Sequence, residues 1–333
     1  MTQAQRDVVG IGNAIIDIIA HADEAFLREH ALTKGAMNLV DDSFAETLYD
    51  AMPPALEASG GSCANTMAGI ASFGGRAGYI GKVRDDSFGR IFQHDIRAIG
   101  VDFETAPATA GPPTARSLIL VTPDAQRTMH TYLGACVHLG PDDVDPAFVQ
   151  SARITYLEGY LWDPPAAKQA LLKAADAAHA ASRQVSLTLS DPFCVERHRE
   201  SFRELIARHI DVLFANEAEI LSLYQVATFA EAVAAVKADC TVAALTRSEK
   251  GSVLVRGDAV VEVAAAPVER LVDTTGAGDQ YAAGFLFGHA RGLPLAECGR
   301  LASLAAAEVI GHVGPRPEIP LVSLLRQGEF AVS

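Results

Sequence analysis

A run of small residues ending in a carboxylate, Asp273-Thr274-Thr275-Gly276-Ala277-Gly278-Asp279, stands directly before the apolar stretch Gln280-Tyr281-Ala282-Ala283-Gly284-Phe285. The stretch predicts a helix over 278–290. Backbone N–H groups at a helix start are unpaired and carry partial positive charge, so they form an anion site. Gly276 and Gly278 let a phosphate approach the backbone closely. Asp279 falls in the first helical turn, where the helix field favours its ionised form, ready to take a proton from an attacking hydroxyl. Phosphoryl transfer asks for little more than such positioning, with charge neutralised by donors and Mg2+. The bare residues also fit a capped helix after a glycine turn. Asn216 with Glu219 likewise fits a helix N-cap and its first-turn acid, and Asn13 with Asp17 fits a strand end and a turn.

The elements that must hold these residues follow from the rhythm of the chain. Residues 8–19 read as a first strand interrupted by Asn13 and Asp17, and the pattern weakens from 20 to 54. Gly60-Gly61 opens a helix over 63–73, followed by a strand over 77–83 and a helix ending at 99. Residues 116–122 and 127–132 alternate as strands around a turn at Pro123-Asp124. Beyond 144, strands at 154–157, 184–189, 212–215, 241–246 and 252–255 alternate with helices at 166–181, 199–208, 217–224 and 229–237. A helix over 295–310 closes the pattern. Such alternation implies an α/β fold with a mainly parallel sheet covered on both faces, and the β-rich stretches early in the chain imply a small separate sheet.

The bulk numbers bound the function. The 333 residues suit one large α/β domain or a main domain with a small attachment. A net charge of −14 argues against a nucleic-acid partner. The longest apolar runs fall far short of a membrane span, and no basic-then-apolar leader opens the chain. Cys63, Cys136, Cys194, Cys240 and Cys298 are widely spaced without a CxxC pair, as reduced thiols in a cytoplasm would be.

The 273–279 string resembles the C-terminal signature of the ribokinase-like (PfkB-type) family of carbohydrate and nucleoside kinases. Gly60-Gly61-Ser62-Cys63-Ala64-Asn65, continuing through Phe73-Gly74 to Gly81, Asp86 and Gly89, resembles its N-terminal signature. Asn216-Glu217-Ala218-Glu219 is similar to its Asn-x-x-Glu element, and Thr246, Ser248 and Gly251 to its nucleotide-binding strand end, where a glycine is common at the position of Ser248. The order and spacing fit over nearly the whole chain. The resemblance implies a three-layer α/β/α domain over 1–333 with a β-rich lid from about 13–50 and 103–134. It implies Asp279 as base and the N–H groups of Gly276, Ala277 and Gly278 as anion hole. It implies ATP at Asn216, Thr246, Ser248, Gly251 and Gly278, with Mg2+ reached through water by Glu219. A K+ ion beside Asp273, Thr275 and Gly314 is a further implication, as is a monomer or a lid-mediated homodimer.

Gly12-Asn13-Ala14-Ile15-Ile16-Asp17 is similar to the first-strand motif of the adenosine kinase branch, in which Asn and Asp hold a ribose. This implies Asn13, Asp17, Gly61 and Asn65 as sugar contacts, Arg127 as a phosphate-facing residue, and adenosine as acceptor. Tyr160 and Trp162 are candidates for stacking on a base or lining the site. Inosine, guanosine, ribose, fructose and a keto-deoxy sugar acid stay open as acceptors. A non-catalytic sugar or nucleotide sensor is a rival reading, although such a binder has no need of Asp279. An NAD-dependent dehydrogenase is another: Gly10-x-Gly12 follows a strand, but Ile15 stands at the third glycine position.

Overall fold

The computed structural model describes residues 4–124, 126–327 and 330. The chain begins β1 (Arg6–Ile11), β2 (Ile15–His21), α1 (Glu24–Glu29), β3 (Met37–Leu39), α2 (Asp42–Ala51), β4 (Ala55–Gly60), α3 (Ser62–Ser72), β5 (Ala77–Ile80) and α4 (Ser87–Ala98). It continues β6 (Val101–Phe103), β7 (Ala115–Val121), β8 (Arg127–Tyr132), α5 (Pro146–Gln150), β9 (Ala152–Glu158), α6 (Pro165–Ala180), β10 (Gln184–Thr188) and α7 (Pro192–His209). The last third is β11 (Val212–Asn216), α8 (Glu217–Tyr224), α9 (Phe229–Asp239), β12 (Val242–Thr246), β13 (Ser252–Arg256), β14 (Ala259–Val263), α10 (Ala277–Ala290), α11 (Leu295–Val309) and α12 (Val322–Gln327).

Nine strands form one sheet in the order β14-β13-β12-β11-β10-β9-β1-β5-β6, parallel from β12 to β6 and antiparallel at β12, β13 and β14. Alternate residues of its central strands enter two different cores. Val8, Tyr156 and Phe214 pack with α3, α10 and α11, whereas Val9, Leu157 and Leu213 pack with α5 to α9. Burial on both faces explains why these strands read as unbroken apolar runs. No single described helix is long and apolar enough to cross a membrane.

A second sheet has the order β3-β8-β7-β2-β4. It reaches beyond the two segments expected to form it. Residues 55–60 add strand β4, and Phe103 lies in β6 of the large sheet. The expected single strand over 8–19 is in fact two. β1 belongs to the large sheet, and after Gly12-Asn13-Ala14 the chain enters the small sheet as β2. Gly12 sits at the break, where only a glycine fits: a Cβ there would collide with Cys63 and with the Glu158 carboxylate. The helix expected at 199–208 is present after a break at His198 (φ −121°, ψ 16°), and a preceding turn of helix begins at Pro192, capped by Asp191, whose carboxylate accepts from the Cys194 N–H at 2.6 Å.

Candidate active site

The crossing from β1 to β2, the start of α3 and the start of α10 meet at one place. Gly276 precedes α10 with φ +79°, the left-handed conformation that glycine adopts without strain. A Cβ there would lie 2.5 Å from the Pro315 backbone, so the loop before α10 packs on the segment after α11. On the other side it is open: Gly278 is exposed and a Cβ on it would meet nothing within 4 Å. The Ala277 N–H donates to the Thr274 carbonyl at 3.2 Å. Among the described residues the N–H groups of Gly276 and Gly278 have no acceptor.

Asp279 is held from α3. The Ser62 hydroxyl donates to Oδ1 at 2.6 Å and the Asn65 amide to Oδ2 at 3.3 Å. Burial pushes the Asp279 carboxyl up to about 6 although both donors pull it down. Such a group is ionised at neutral pH yet basic enough to take a proton. Asn65 Oδ1 also accepts from Arg316 Nε at 3.2 Å, so Asn65 links Asp279 to Arg316 and keeps a second amide N–H and a lone pair for a further partner.

Two buried acceptors stand in the same wall without donors. Asp17 is 9 % exposed and its carboxylate accepts no hydrogen bond among the described residues; Asn13 Oδ1 is buried and also unpartnered. Gly60 lies against the Asp17 carboxylate and Gly61, the N-cap of α3, against the Asn13 carbonyl. Burial pushes the Asp17 carboxyl up to about 6, while Arg316 and Arg127 pull it down and Asp279 adds to the rise. Asn13 donates from its side-chain amide to Glu158 at 2.7 Å.

Arg127, on β8, reaches across to the loop before α10. Its guanidinium lies 2.8 Å from Asp273 Oδ2, with both side chains nearly excluded from water. Its N–H groups do not line up for hydrogen bonds, so the contact is electrostatic. Asp273 also accepts from the Thr275 N–H at 3.0 Å, the Thr275 hydroxyl at 2.7 Å and the Gly314 N–H at 3.1 Å.

Asn216 and Thr246 end neighbouring strands in register. Asn216 and Glu219 form a reciprocal cap on α8: Asn216 Oδ1 accepts from the Glu219 N–H at 2.9 Å and Glu219 accepts from the Asn216 N–H at 2.9 Å. Burial pushes the Glu219 carboxyl up to about 7. Ser248 has φ +52°, the left-handed conformation expected of the glycine it replaces, and Gly251 closes the same turn through its N–H on the Ser248 carbonyl at 3.0 Å. Tyr160 is half-buried after β9, its backbone N–H on Ser190 Oγ at 3.1 Å. Trp162 does not line the site; it is buried in the core beside Phe202, with its indole N–H on Ser201 Oγ at 2.9 Å.

Glu158, Arg316 and Ser62 were missed as site residues by sequence reasoning. Ser62 sits inside a quoted motif, so its neighbourhood was a signal. Glu158 and Arg316 carry none, since their partners lie far away in the chain.

The family model of pfkB family carbohydrate kinases matches residues 39–321. The chain belongs to this family. It is an ATP-dependent kinase with the ribokinase-like three-layer fold. This kinase is similar to the crystal structure of adenosine kinase from Sinorhizobium meliloti, at 56 % identity and TM-score 0.90, covering 98 % of this chain and 100 % of that one. A probable sugar kinase from Rhizobium etli matches at 51 % identity and TM-score 0.91, over 98 % and 99 %. Among curated relatives, the 5-dehydro-2-deoxygluconokinase of Shouchella clausii is 26 % identical over 287 residues, 80 % of this chain and 85 % of that protein.

The kinase's residues fit Mg2+ only as an ion that arrives on the nucleotide. No group of three or more His, Cys, Asp or Glu among the described residues could hold a metal, and Mg2+ typically keeps several waters while bound to phosphates and one or two carboxylates. Glu219 is the carboxylate at hand, and its cap bonds leave it lone pairs for such a water. The residues expected around K+ come together at Asp273, whose carboxylate accepts from the Thr275 N–H and hydroxyl and the Gly314 N–H and faces the Arg127 guanidinium.

Proposed function

We propose that this kinase transfers the γ-phosphoryl group of ATP to the hydroxymethyl group of a nucleoside, with adenosine giving AMP. The observation that carries the reading is the pair of unpartnered acceptors, the Asp17 carboxylate and Asn13 Oδ1, beside a carboxylate poised near pH 6. Vicinal hydroxyls of a ribose are donors that satisfy both, and a site with buried polar groups discriminates strongly against analogues that leave them unpaired. The 56 % identity to a structure described as an adenosine kinase supports the same acceptor.

The chemistry balances as a single displacement. The acceptor oxygen forms a bond to Pγ as Asp279 takes its proton, the bond from Pγ to the β-bridging oxygen breaks, and ADP leaves with that electron pair. The N–H groups of Gly276 and Gly278, at the positive end of α10, hold the migrating phosphoryl group. Each donor in such a hole is worth roughly 100-fold or more in rate. Mg2+ supplies neutralisation of phosphate charge. Arg127 brings a further positive charge to the edge of the same loop, and the ends of β11 and β12, at Asn216 and Thr246, flank the nucleotide.

ADP release with ATP, Mg2+ and a panel of adenosine, inosine, guanosine, ribose, fructose and a keto-deoxy sugar acid tests this. Adenosine is expected to give the highest kcat/KM. Faster turnover of any free sugar would overturn the nucleoside assignment, and the identity to a protein described as a probable sugar kinase makes that the arm to watch.

A further inference from the structure

Glu158 ends β9 and is 1 % exposed. Its Oε1 accepts from the Asn13 side-chain amide at 2.7 Å and the Asn13 backbone N–H at 3.3 Å, and its Oε2 accepts from the Cys63 backbone N–H at 2.9 Å. Among the described residues no Lys, Arg or His pairs with it. Burying a carboxylate without a counter-ion is costly, and three N–H donors from two elements compensate it only while it stays ionised.

Those donors are the parts that define the site. Gly61, the N-cap of α3, has no side chain to accept from the first turn, and Glu158 supplies that acceptor from another element. The helix it caps carries Ser62 and Asn65, which hold Asp279. A carboxylate can only accept, so Asn13 must turn its NH2 end to Glu158. That orientation leaves Oδ1 as the free, buried end.

We propose that Glu158 is a positioning residue for phosphoryl transfer: it locks the Asn13 amide to the start of α3, so that the acceptor's hydroxyls and Asp279 are presented in register. The proposal rests on the acceptor site assigned above. Burial pushes the Glu158 carboxyl up to about 7, its three N–H donors oppose the rise, and Asp279 adds to it. The titratable groups that face it are Cys63 on α3, Asp279 on α10, Tyr79 on β5, Cys136 after β8, Tyr160 after β9 and Cys194 on α7, and none is a cation. Protonation converts one acceptor oxygen into a donor and breaks the lock, so acceptor binding weakens as pH falls through about 7.

The test compares wild type with Glu158→Gln from pH 5.5 to 8.5, varying ATP and acceptor separately. Wild type is expected to show an acceptor KM that rises as pH falls through about 7 while the ATP KM stays flat. In the variant the acceptor KM rises roughly 10- to 100-fold at pH 8 and the pH step is gone. A second readout needs no acceptor. A raised folded-state pKa means wild-type stability from this group is present at low pH and lost as pH rises through about 7, so the Tm of the variant relative to wild type increases from pH 5 to 8. A wild-type acceptor KM that is flat across pH 7 overturns the proposal, even if the variant fails to fold. So does a variant whose ATP and acceptor KM values rise together, the mark of a merely structural role. Absence of wild-type turnover with adenosine counts instead against the nucleoside reading. The KM comparison then uses whichever panel compound reacts, and the stability comparison is unaffected.

Discussion

Asp279 shows how one carboxylate is tuned by its neighbours. Burial raises its pKa, Ser62 and Asn65 lower it, and the balance lies at about 6. A base must be deprotonated to work, so the acceptor kcat/KM, already falling with the binding step near 7, is expected to fall more steeply below about 6, where Asp17 titrates too, which makes that limb a property of the pair. Asp279→Asn removes the proton acceptor while keeping the shape, and its amide retains the Asn65 bond through Oδ1 while its NH2 donates to the Ser62 hydroxyl. Its kcat is expected to fall on the order of 1,000-fold with the Kd for ATP unchanged, as measured by single-turnover kinetics and nucleotide titration. Retention of activity within about tenfold would reassign the base. Asp279 was legible in the sequence because its role is local: a glycine turn and a helix start surround it in seven consecutive residues. Glu158 was not. It meets its donors across 145 and 95 positions of chain, and nothing around Leu157-Glu158-Gly159 announces them.

At the scale of elements, the sequence was readable where burial imposes a pattern and silent where an edge relaxes it. The central strands and the helices flanking them appear within a few residues of their expected bounds. β4 was missed because Ala55-Leu56-Glu57-Ala58-Ser59-Gly60 is a half-exposed edge strand of residues with weak strand preference. The switch between sheets at Gly12 was hidden for the opposite reason, since apolar residues continue on both sides of it. At Gly12 α3 and Glu158 approach the backbone closely, a contact that only the folded chain supplies. Gly12→Ala tests that approach. The added methyl group must displace Cys63 or the Glu158 carboxylate, so a loss of about 1–3 kcal/mol in denaturant unfolding is expected, the cost usual for overpacking. Acceptor KM should rise more than ATP KM, because the displaced groups position α3 and Asn13. A fully stable variant with unchanged KM values would show that the crossing tolerates a side chain.

The whole molecule has to hold a small sheet against a large one with a polar site between them. The backbone passes between them at β1–β2, at Gly60-Gly61 after β4, between β6 and β7 and between β8 and β9, and two arginines also link them through side chains. Arg127 extends from the small sheet to Asp273 beside the phosphate loop. Arg316 does the reverse. From the segment after α11 it donates to Ser59 on β4 at 2.8 Å, to Asp95 on α4 at 3.1 Å and to Asn65 on α3 at 3.2 Å. Burial alone would raise the Asp95 pKa, but hydrogen bonds from Ser59 and the Arg316 charge outweigh it and hold the carboxyl below its ordinary value. Arg316 also neighbours Pro315, on which Gly276 packs, so one side chain ties the height of the small sheet to the geometry of the phosphate loop. Arg316→Ala cuts all three bonds and leaves Asp95 half-buried with only its Ser59 donors and no counter-ion. Two consequences are expected together: faster hydrogen exchange in residues 55–60, and ATP hydrolysis without acceptor that increases several-fold over wild type, because water enters a site no longer held shut. Faster exchange without the added hydrolysis would make Arg316 a brace for β4 alone, and the coupling between small sheet and phosphate loop would have to run through Arg127.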